Sequence, residues 1–159
     1  MKNSRLILGL YQIIGSVVSL LAIGRINSAY GPVAAALLIL FTILAVSAGV
    51  ALWRGEKNRW RLTILNQLVQ LVGFYTPVFA YNVIHGAGLT LGTRYFAAEK
   101  FAEANFQTSG QLVLGSSVFD VLWGNKLTGM PDYGLSVNFL ALGILIYVAF
   151  FRPKAAPSQ

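Results

Sequence analysis

The chain has 159 residues, of which 56% are hydrophobic and only 11% are charged. Soluble domains carry about 25% charged residues, so this composition excludes an ordinary soluble protein and indicates an integral membrane protein. The formal net charge of +7 does not indicate a nucleic-acid partner, because the basic residues flank apolar segments, where membrane topology and anionic lipid account for them. The absence of cysteine excludes disulfides and thiol chemistry.

Four long uncharged segments predict four transmembrane helices. A helix needs about 20 mostly apolar residues to cross a hydrocarbon core about 30 Å thick. The first segment also has the features of a signal peptide, but its apolar run exceeds the usual length of about 7–15 residues, and we expect a retained span. The predicted spans are Leu6–Ile23, Val33–Trp53, Leu62–Ile84 and Leu135–Phe151.

The predicted fold is an all-α membrane protein, a four-transmembrane-helix bundle with a small extracytoplasmic β-rich (α+β) insert between helices 3 and 4. The predicted parts are residues 1–84 with the first three helices, 85–134 as the extracytoplasmic module, 135–151 as the fourth helix and 152–159 as a cytoplasmic tail.

The distribution of basic residues orients these segments. With the N-terminus in the cytoplasm, eight basic residues lie inside and four outside, as the positive-inside rule requires. We therefore expect both termini on the cytoplasmic side of a bacterial inner membrane. The link between the second and third spans carries four basic side chains that are expected to contact anionic lipid: Arg54, Lys57, Arg59 and Arg61.

The insert contains the signals of a small antiparallel sheet. Alternating side chains in Leu89–Phe96 predict a strand, and Ala97–Ala104 consists of strong helix formers. Gln111–Trp123 is interrupted by Gly115, Ser116 and Ser117, and predicts two short strands joined by a turn. Several aromatic side chains of the insert pack on each other or on lipid headgroups, or contact a partner protein. The partner-contact candidates are Tyr95, Phe96, Phe101, Phe119 and Trp123.

The third predicted span carries three amides and a proline. At 100° per residue, its polar side chains fall within one sector of about 120°. An unpaired amide in hydrocarbon is costly, so this stripe must face protein or water. Pro77 predicts a kink, because it cannot donate a hydrogen bond to the carbonyl of Gly73. With one amide of the first span, the site candidates are Gln12, Asn66, Gln67, Gln70, Pro77 and Tyr81.

Two interpretations of the stripe remain open. The amides can hold the bundle together through interhelical hydrogen bonds, each contributing about 0.6–2 kcal/mol, where small residues such as Ala45 and Gly49 let helices approach. Alternatively, they line a water-filled pocket open to the cytoplasm. The sequence favours the first interpretation.

No motif predicts catalysis or metal binding. His85 is the only histidine, and although Glu99 and Glu103 have helical i,i+4 spacing, no metal-binding signature joins them to it. An interfacial histidine is the simpler interpretation. We therefore predict no metal, no cofactor and no enzymatic activity.

The predicted function is that of a non-catalytic accessory or scaffold subunit of a membrane complex. It would contact other membrane proteins, or a second copy, through the extracytoplasmic module and through small-residue helix faces. The alternative is a passive carrier or channel for a small neutral or amphipathic solute that uses the polar stripe of the third helix, since broken helices at membrane depth often mark binding sites in transporters.

Overall fold

The computed structural model describes residues 2–21, 32–97, 105–114, 118–123 and 133–151. Within these residues the chain forms four helices and six strands. The helices are α1 (Lys2–Leu21), α2 (Pro32–Arg54), α3 (Arg59–Leu71) and α4 (Phe139–Phe151). The strands are β1 (Val72–Tyr75), β2 (Phe79–Ile84), β3 (Ala87–Phe96), β4 (Asn105–Leu114), β5 (Val118–Trp123) and β6 (Tyr133–Asn138).

The six strands form one sheet in the order β4-β3-β6-β1-β2-β5, and every pair of neighbours is antiparallel. β6, the last strand in the chain, lies near the centre between β3 and β1. The sheet therefore combines strands of the segment 85–134 with strands that precede it and a strand that continues beyond it.

The helices form an open layer. α1 packs on α2, α2 on α3, and α3 on α4. A groove of about 530 Å³ separates α1 from α4, and its wall includes Leu8 and Tyr11 on one side and Ile144 and Tyr147 on the other. Beside the groove, all four helices contribute to one hydrophobic cluster, in which Leu8 packs against Leu52, Trp60 and Val148.

Two helices, Asn3–Leu21 and Pro32–Arg54, are long and apolar enough to cross a membrane. Signal sequences and the core helices of soluble proteins share that property. In this chain, however, only 28% and 39% of the residues in their most apolar stretches are buried, and exposed side chains on them include Ile7, Ile14, Leu40 and Ile43. This exposure indicates association with a membrane, because soluble proteins rarely expose contiguous apolar surface of this extent.

The predicted third span, Leu62–Ile84, is wrong. α3 ends at Leu71, and the chain continues as the strands β1 and β2. Pro77 lies in the turn between those strands and therefore kinks no helix. Thr76 closes the turn, because its backbone N–H donates to the carbonyl of Phe79 at 2.7 Å.

The predicted fourth span, Leu135–Phe151, is also wrong. Its first four residues belong to β6, and α4 has only 13 residues, too few to cross the hydrocarbon core. Asn138 caps the helix, since its Oδ1 accepts hydrogen bonds from the backbone N–H groups of Leu140 (3.1 Å) and Ala141 (3.4 Å). The fold is a mixed α+β fold and not an all-α four-span bundle.

The strand prediction for Leu89–Phe96 is confirmed, because β3 contains it. Strands also form on both sides of residues 115–117, but they are not a hairpin, since β4 pairs with β3 and β5 with β2. The predicted helix Ala97–Ala104 lies almost wholly outside the described residues.

Candidate functional site

α3 directs its polar stripe into the protein. The buried positions follow helical spacing of three and four residues, whereas Leu65 and Leu68 on the other side are about half exposed. The buried polar side chains of α3 are Thr63, Asn66, Gln67 and Gln70. The stripe therefore faces α2 and the turn after β2.

α1 contributes a second polar face. Gln12, Ser16 and Ser19 are buried. The backbones of α1 and α2 approach closely here, because a Cβ on Gly9 would lie 2.9 Å from the carbonyl oxygen of Gly49. The small-residue faces predicted from the sequence are thus used inside the chain.

His85 joins α1, α3 and the sheet. Its backbone N–H donates to Oε1 of Gln70 at 2.8 Å, and its ring Nδ1 lies 2.6 Å from Oγ of Ser19. The hydroxyl of Tyr11 donates to the carbonyl of Ala87 at 2.9 Å, two residues further along the chain. The turn after β2 is therefore tied to both helices.

The hydrogen bonds around Ser19 assign the tautomer of His85. The hydroxyl of Ser19 donates its single proton to the carbonyl of Gly15 at 2.9 Å, so its oxygen accepts a hydrogen bond from the imidazole. Nδ1 then carries the ring proton. The lone pair of Nε2 is buried and has no hydrogen-bond partner among the described residues. Burial lowers the pKa of His85 from 6.5 to about 4, so the ring is neutral at pH 7.

Five further side chains have buried polar atoms without partners among the described residues: Gln12, Thr42, Arg59, Trp60 and Gln67. Gln12 is 2% exposed and Gln67 is 1% exposed, yet within the described chain neither the amide nitrogen nor the amide oxygen of either has a hydrogen-bond partner. The same holds for Oγ1 of Thr42 on α2. We refer to Gln12, Thr42 and Gln67 as the polar layer.

Helix register spreads the polar layer over about 9 Å along the helix axes. Gly9 lies beside Gly49 in the α1–α2 pair, and in the α2–α3 pair Val69 packs against the cluster that contains Leu38. Because these pairs are antiparallel, Gln12 is level with residue 46 of α2 and Gln67 with residue 40, so the two glutamines lie about 9 Å apart along the helix axes, on either side of Thr42. They contribute donors and acceptors but no charge.

The other candidates on the stripe have structural contacts. Nε2 of Gln70 donates to Oδ1 of Asn66 at 3.3 Å, so both amides have partners. Tyr81 lies in β2, where its hydroxyl donates to the carbonyl of Val69 at 2.6 Å, near the end of α3. The structure therefore separates bonded amides from unbonded ones.

The predicted partner-contact residues are dispersed. Tyr95 packs on Phe106, with ring centroids 4.9 Å apart, and Phe96 is buried. Phe101 lies outside the described residues, as do the side chains of Phe119 and Trp123 on β5.

Three of the four basic side chains of the α2–α3 link, Arg54, Lys57 and Arg61, are exposed. Arg59 is less free, because its guanidinium donates to the carbonyls of Gly55 and Glu56, both at 2.6 Å. Three of the four are thus free to contact lipid headgroups.

The sequence did not identify His85 as part of the site. It is 3% exposed and packed against α1. The only local signal is the pair Gly15 and Gly86, which bring the two backbones together: a Cβ on Gly86 would lie 2.5 Å from Cα of Gly15. Among the described residues, no group of three or more histidine, cysteine or acidic side chains could hold a metal ion.

Comparisons with protein-family models, with curated proteins and with solved structures give no match for this chain.

Proposed function

We propose that the chain is a non-catalytic integral membrane protein and a passive carrier for a small, uncharged, polar solute that binds at the polar layer. The observation that carries this proposal is the pair of amides of Gln12 and Gln67, which are buried and have no partner among the described residues.

The energetic argument is that such groups are expensive. A buried polar group without a hydrogen bond costs about 1–3 kcal/mol, and these two side chains hold four such atoms. Two other hydroxyls are satisfied within their own helices, since Ser16 donates to the carbonyl of Gln12 at 2.6 Å and Thr63 donates to that of Arg59 at 2.8 Å, whereas Oγ1 of Thr42 has no partner among the described residues. The unpaired amides are therefore best explained by a ligand that supplies both donors and acceptors.

The chemistry of the polar layer selects the class of solute. Amide and hydroxyl groups offer hydrogen bonds of both kinds, and no charged side chain accompanies them in the layer. An ion would find no countercharge there, whereas a polyol or a small amide would. In this proposal α1 and α2 cross a bacterial inner membrane, and both termini lie in the cytoplasm.

Solute flux into proteoliposomes tests this function, with glycerol and urea as the probes. Vesicles that contain the protein are expected to swell back after a hyperosmotic step faster than protein-free vesicles, by light scattering. Gln67→Leu has nearly the same volume but cannot hydrogen-bond, so it should lose this excess rate. Leu68→Ile is the matched control, because Leu68 is exposed on the same helix. Equal rates for wild type and Gln67→Leu would exclude the polar layer as the route.

The second candidate is the accessory or scaffold subunit. The observation that favours it is the exposed apolar face of the sheet, which offers a surface for a partner protein. The small-residue faces, its other predicted contact surface, are partly used between α1 and α2. Stable co-purification with another membrane protein at native expression would support this candidate, and a lone monomer would count against it.

A further inference from the structure

One face of the sheet is exposed and mostly apolar, with Thr93 and Thr108 as its exposed polar members and no charged side chain among the described residues. The registers of β4, β3, β6 and β1 bring its members to the same side of the sheet. We refer to it as the outer sheet face. Its most exposed apolar members are Leu89, Leu91, Phe106, Leu112, Tyr133 and Leu135.

The helix-proximal end of this face lies at the depth of the candidate spans. α3 rises about 20 Å from the α2–α3 link, and its antiparallel neighbour α2 is about 35 Å long, so α2 extends about 15 Å beyond the start of the sheet. Contacts of Val83 with Ala34 and Leu38 confirm that β2 packs on this part of α2. The near end of the sheet is therefore beside the N-terminal half of α2.

The chemistry of the outer sheet face changes along the strands. At about 3.3 Å per residue, Leu89 and Leu91 lie about 7 and 13 Å along β3 from Ala87, within the depth of α2. Tyr95 lies about 26 Å from Ala87, and it packs on Phe106 and Tyr133, with ring centroids 4.9 and 6.5 Å apart. Aliphatic side chains thus occupy the helix-proximal end, and aromatic ones the far end.

This order matches the cross-section of a bilayer leaflet. Membrane-facing sheets present aliphatic side chains to hydrocarbon and aromatic side chains at headgroup level. The outward faces of the helices at the same depth are also aliphatic, including Val17 and Leu20 of α1 and Ile39 of α2. The opposite face of β4 is different, since its exposed side chains include Gln107 and Gln111.

We propose that the outer sheet face lies against the acyl chains of the non-cytoplasmic leaflet, with the rings of Tyr95, Phe106 and Tyr133 at the headgroups. The sheet is then embedded in the leaflet at its helix-proximal end. The far part of the open β4 edge, Phe106–Ser109, pairs with Gly92–Tyr95, where water and headgroups can satisfy the backbone, and its helix-proximal part, Gln111–Leu114, pairs with Ala87–Thr90. This proposal goes beyond solute binding and does not depend on it.

Spin labelling tests the proposal directly, since the chain has no cysteine and single-cysteine variants label at one position. Leu112→Cys and Gln111→Cys are a matched pair: both side chains are exposed on β4, but they lie on opposite faces of the sheet. Ile14→Cys, on the exposed side of α1, is the reference for lipid contact. In phosphatidylcholine vesicles, collisions with oxygen report hydrocarbon and collisions with a water-soluble nickel chelate report water.

The ratio of oxygen to nickel collisions at position 112 is expected to be several times that at position 111 and to approach the value at position 14. If the label at 112 collides mainly with nickel while the label at 14 collides mainly with oxygen, the proposal is overturned and α1 is still in the membrane. An immobilised label at 112 that neither reagent reaches would also overturn it, and would identify a protein partner or a second copy on this face. A nickel-dominated label at 14 would refute the membrane position of the whole chain.

Discussion

His85 holds the β2–β3 turn against two helices through its backbone and its ring. The backbone N–H requires the amide oxygen of Gln70, and the ring requires the hydroxyl of Ser19. The neutral ring suits this position, because a protonated imidazole would have to place a second N–H in a buried environment without a partner.

Lowering the pH should lower the free energy of unfolding, because the unfolded chain protonates His85 more readily than the folded chain does. The folded pKa of His85 is lowered to about 4, below the unfolded value of 6.5, so the unfolded chain takes up a proton first as the pH falls. The stabilisation is complete above pH 6.5 and is lost as the pH falls from there toward 4. Between pH 7 and pH 5 the free energy of unfolding should fall by about 2 kcal/mol.

Thermal unfolding in detergent at the two pH values measures this change. In His85→Asn the pH-dependent part should disappear, whatever the absolute stability of the variant. An unchanged pH dependence in that variant would show that other groups are responsible.

Periodicity within one helix identifies polar residues that face inward, which is why Gln12, Gln67 and Gln70 could be recognised as site candidates from the sequence. It cannot show which amides have partners. The partner of Gln70 lies 15 residues away, and the ring contact of His85 joins positions 66 apart. Such contacts depend on how the sheet folds, and the length of an uncharged segment does not reveal this.

The end of α3 illustrates how hydropathy misleads here. Val72–Tyr75 alternates between exposed and buried side chains in the structure, but the sequence Val-Gly-Phe-Tyr does not show this period, and only Thr76 with Pro77 is a turn signal. An uncharged run long enough to span a membrane outweighed this turn signal. At the other end of the sheet, Asn138 is a typical helix N-cap that marks the start of α4 three residues after the predicted Leu135.

Docking of the β2–β3 turn onto α1 depends on Gly15. A Cβ at this position would lie 2.9 Å from the carbonyl oxygen of His85 and 3.1 Å from Cα of Gly86. Gly15→Ala should therefore separate the turn from the helix and lower the free energy of unfolding by about 1–3 kcal/mol, despite the better helix propensity of alanine.

Gly143→Ala in α4 is the control, because no atom lies within 4 Å of a Cβ there. That variant should hold or gain up to about 1 kcal/mol, measured by thermal unfolding in the same detergent. Equal stabilisation by both substitutions would mean that the turn does not pack on α1 as described.

The proposed orientation of the whole chain can be tested by cysteine labelling on intact cells. An impermeant maleimide should label Ser109→Cys, which lies on exposed β4, and should not label Ser158→Cys in the C-terminal tail. This follows from the excess of basic residues on the cytoplasmic side. Labelling at 158 without labelling at 109 would reverse the orientation.

We propose that the buried amides divide into structural ones and ligand-binding ones. Gln70 has partners on both sides of its amide, whereas Gln67, three residues earlier on the same face, has none among the described residues. Replacement by leucine therefore has opposite consequences at the two positions.

Thermal unfolding of wild type, Gln67→Leu and Gln70→Leu in one detergent measures this division. Gln70→Leu should lose about 1–3 kcal/mol, because the N–H of His85 is left unpaired. Gln67→Leu should match or exceed wild type, because the unpaired amide is removed, and Leu68→Ile should be nearly silent. A loss of stability in Gln67→Leu as large as that in Gln70→Leu would contradict the account, because both amides would then hold the fold together.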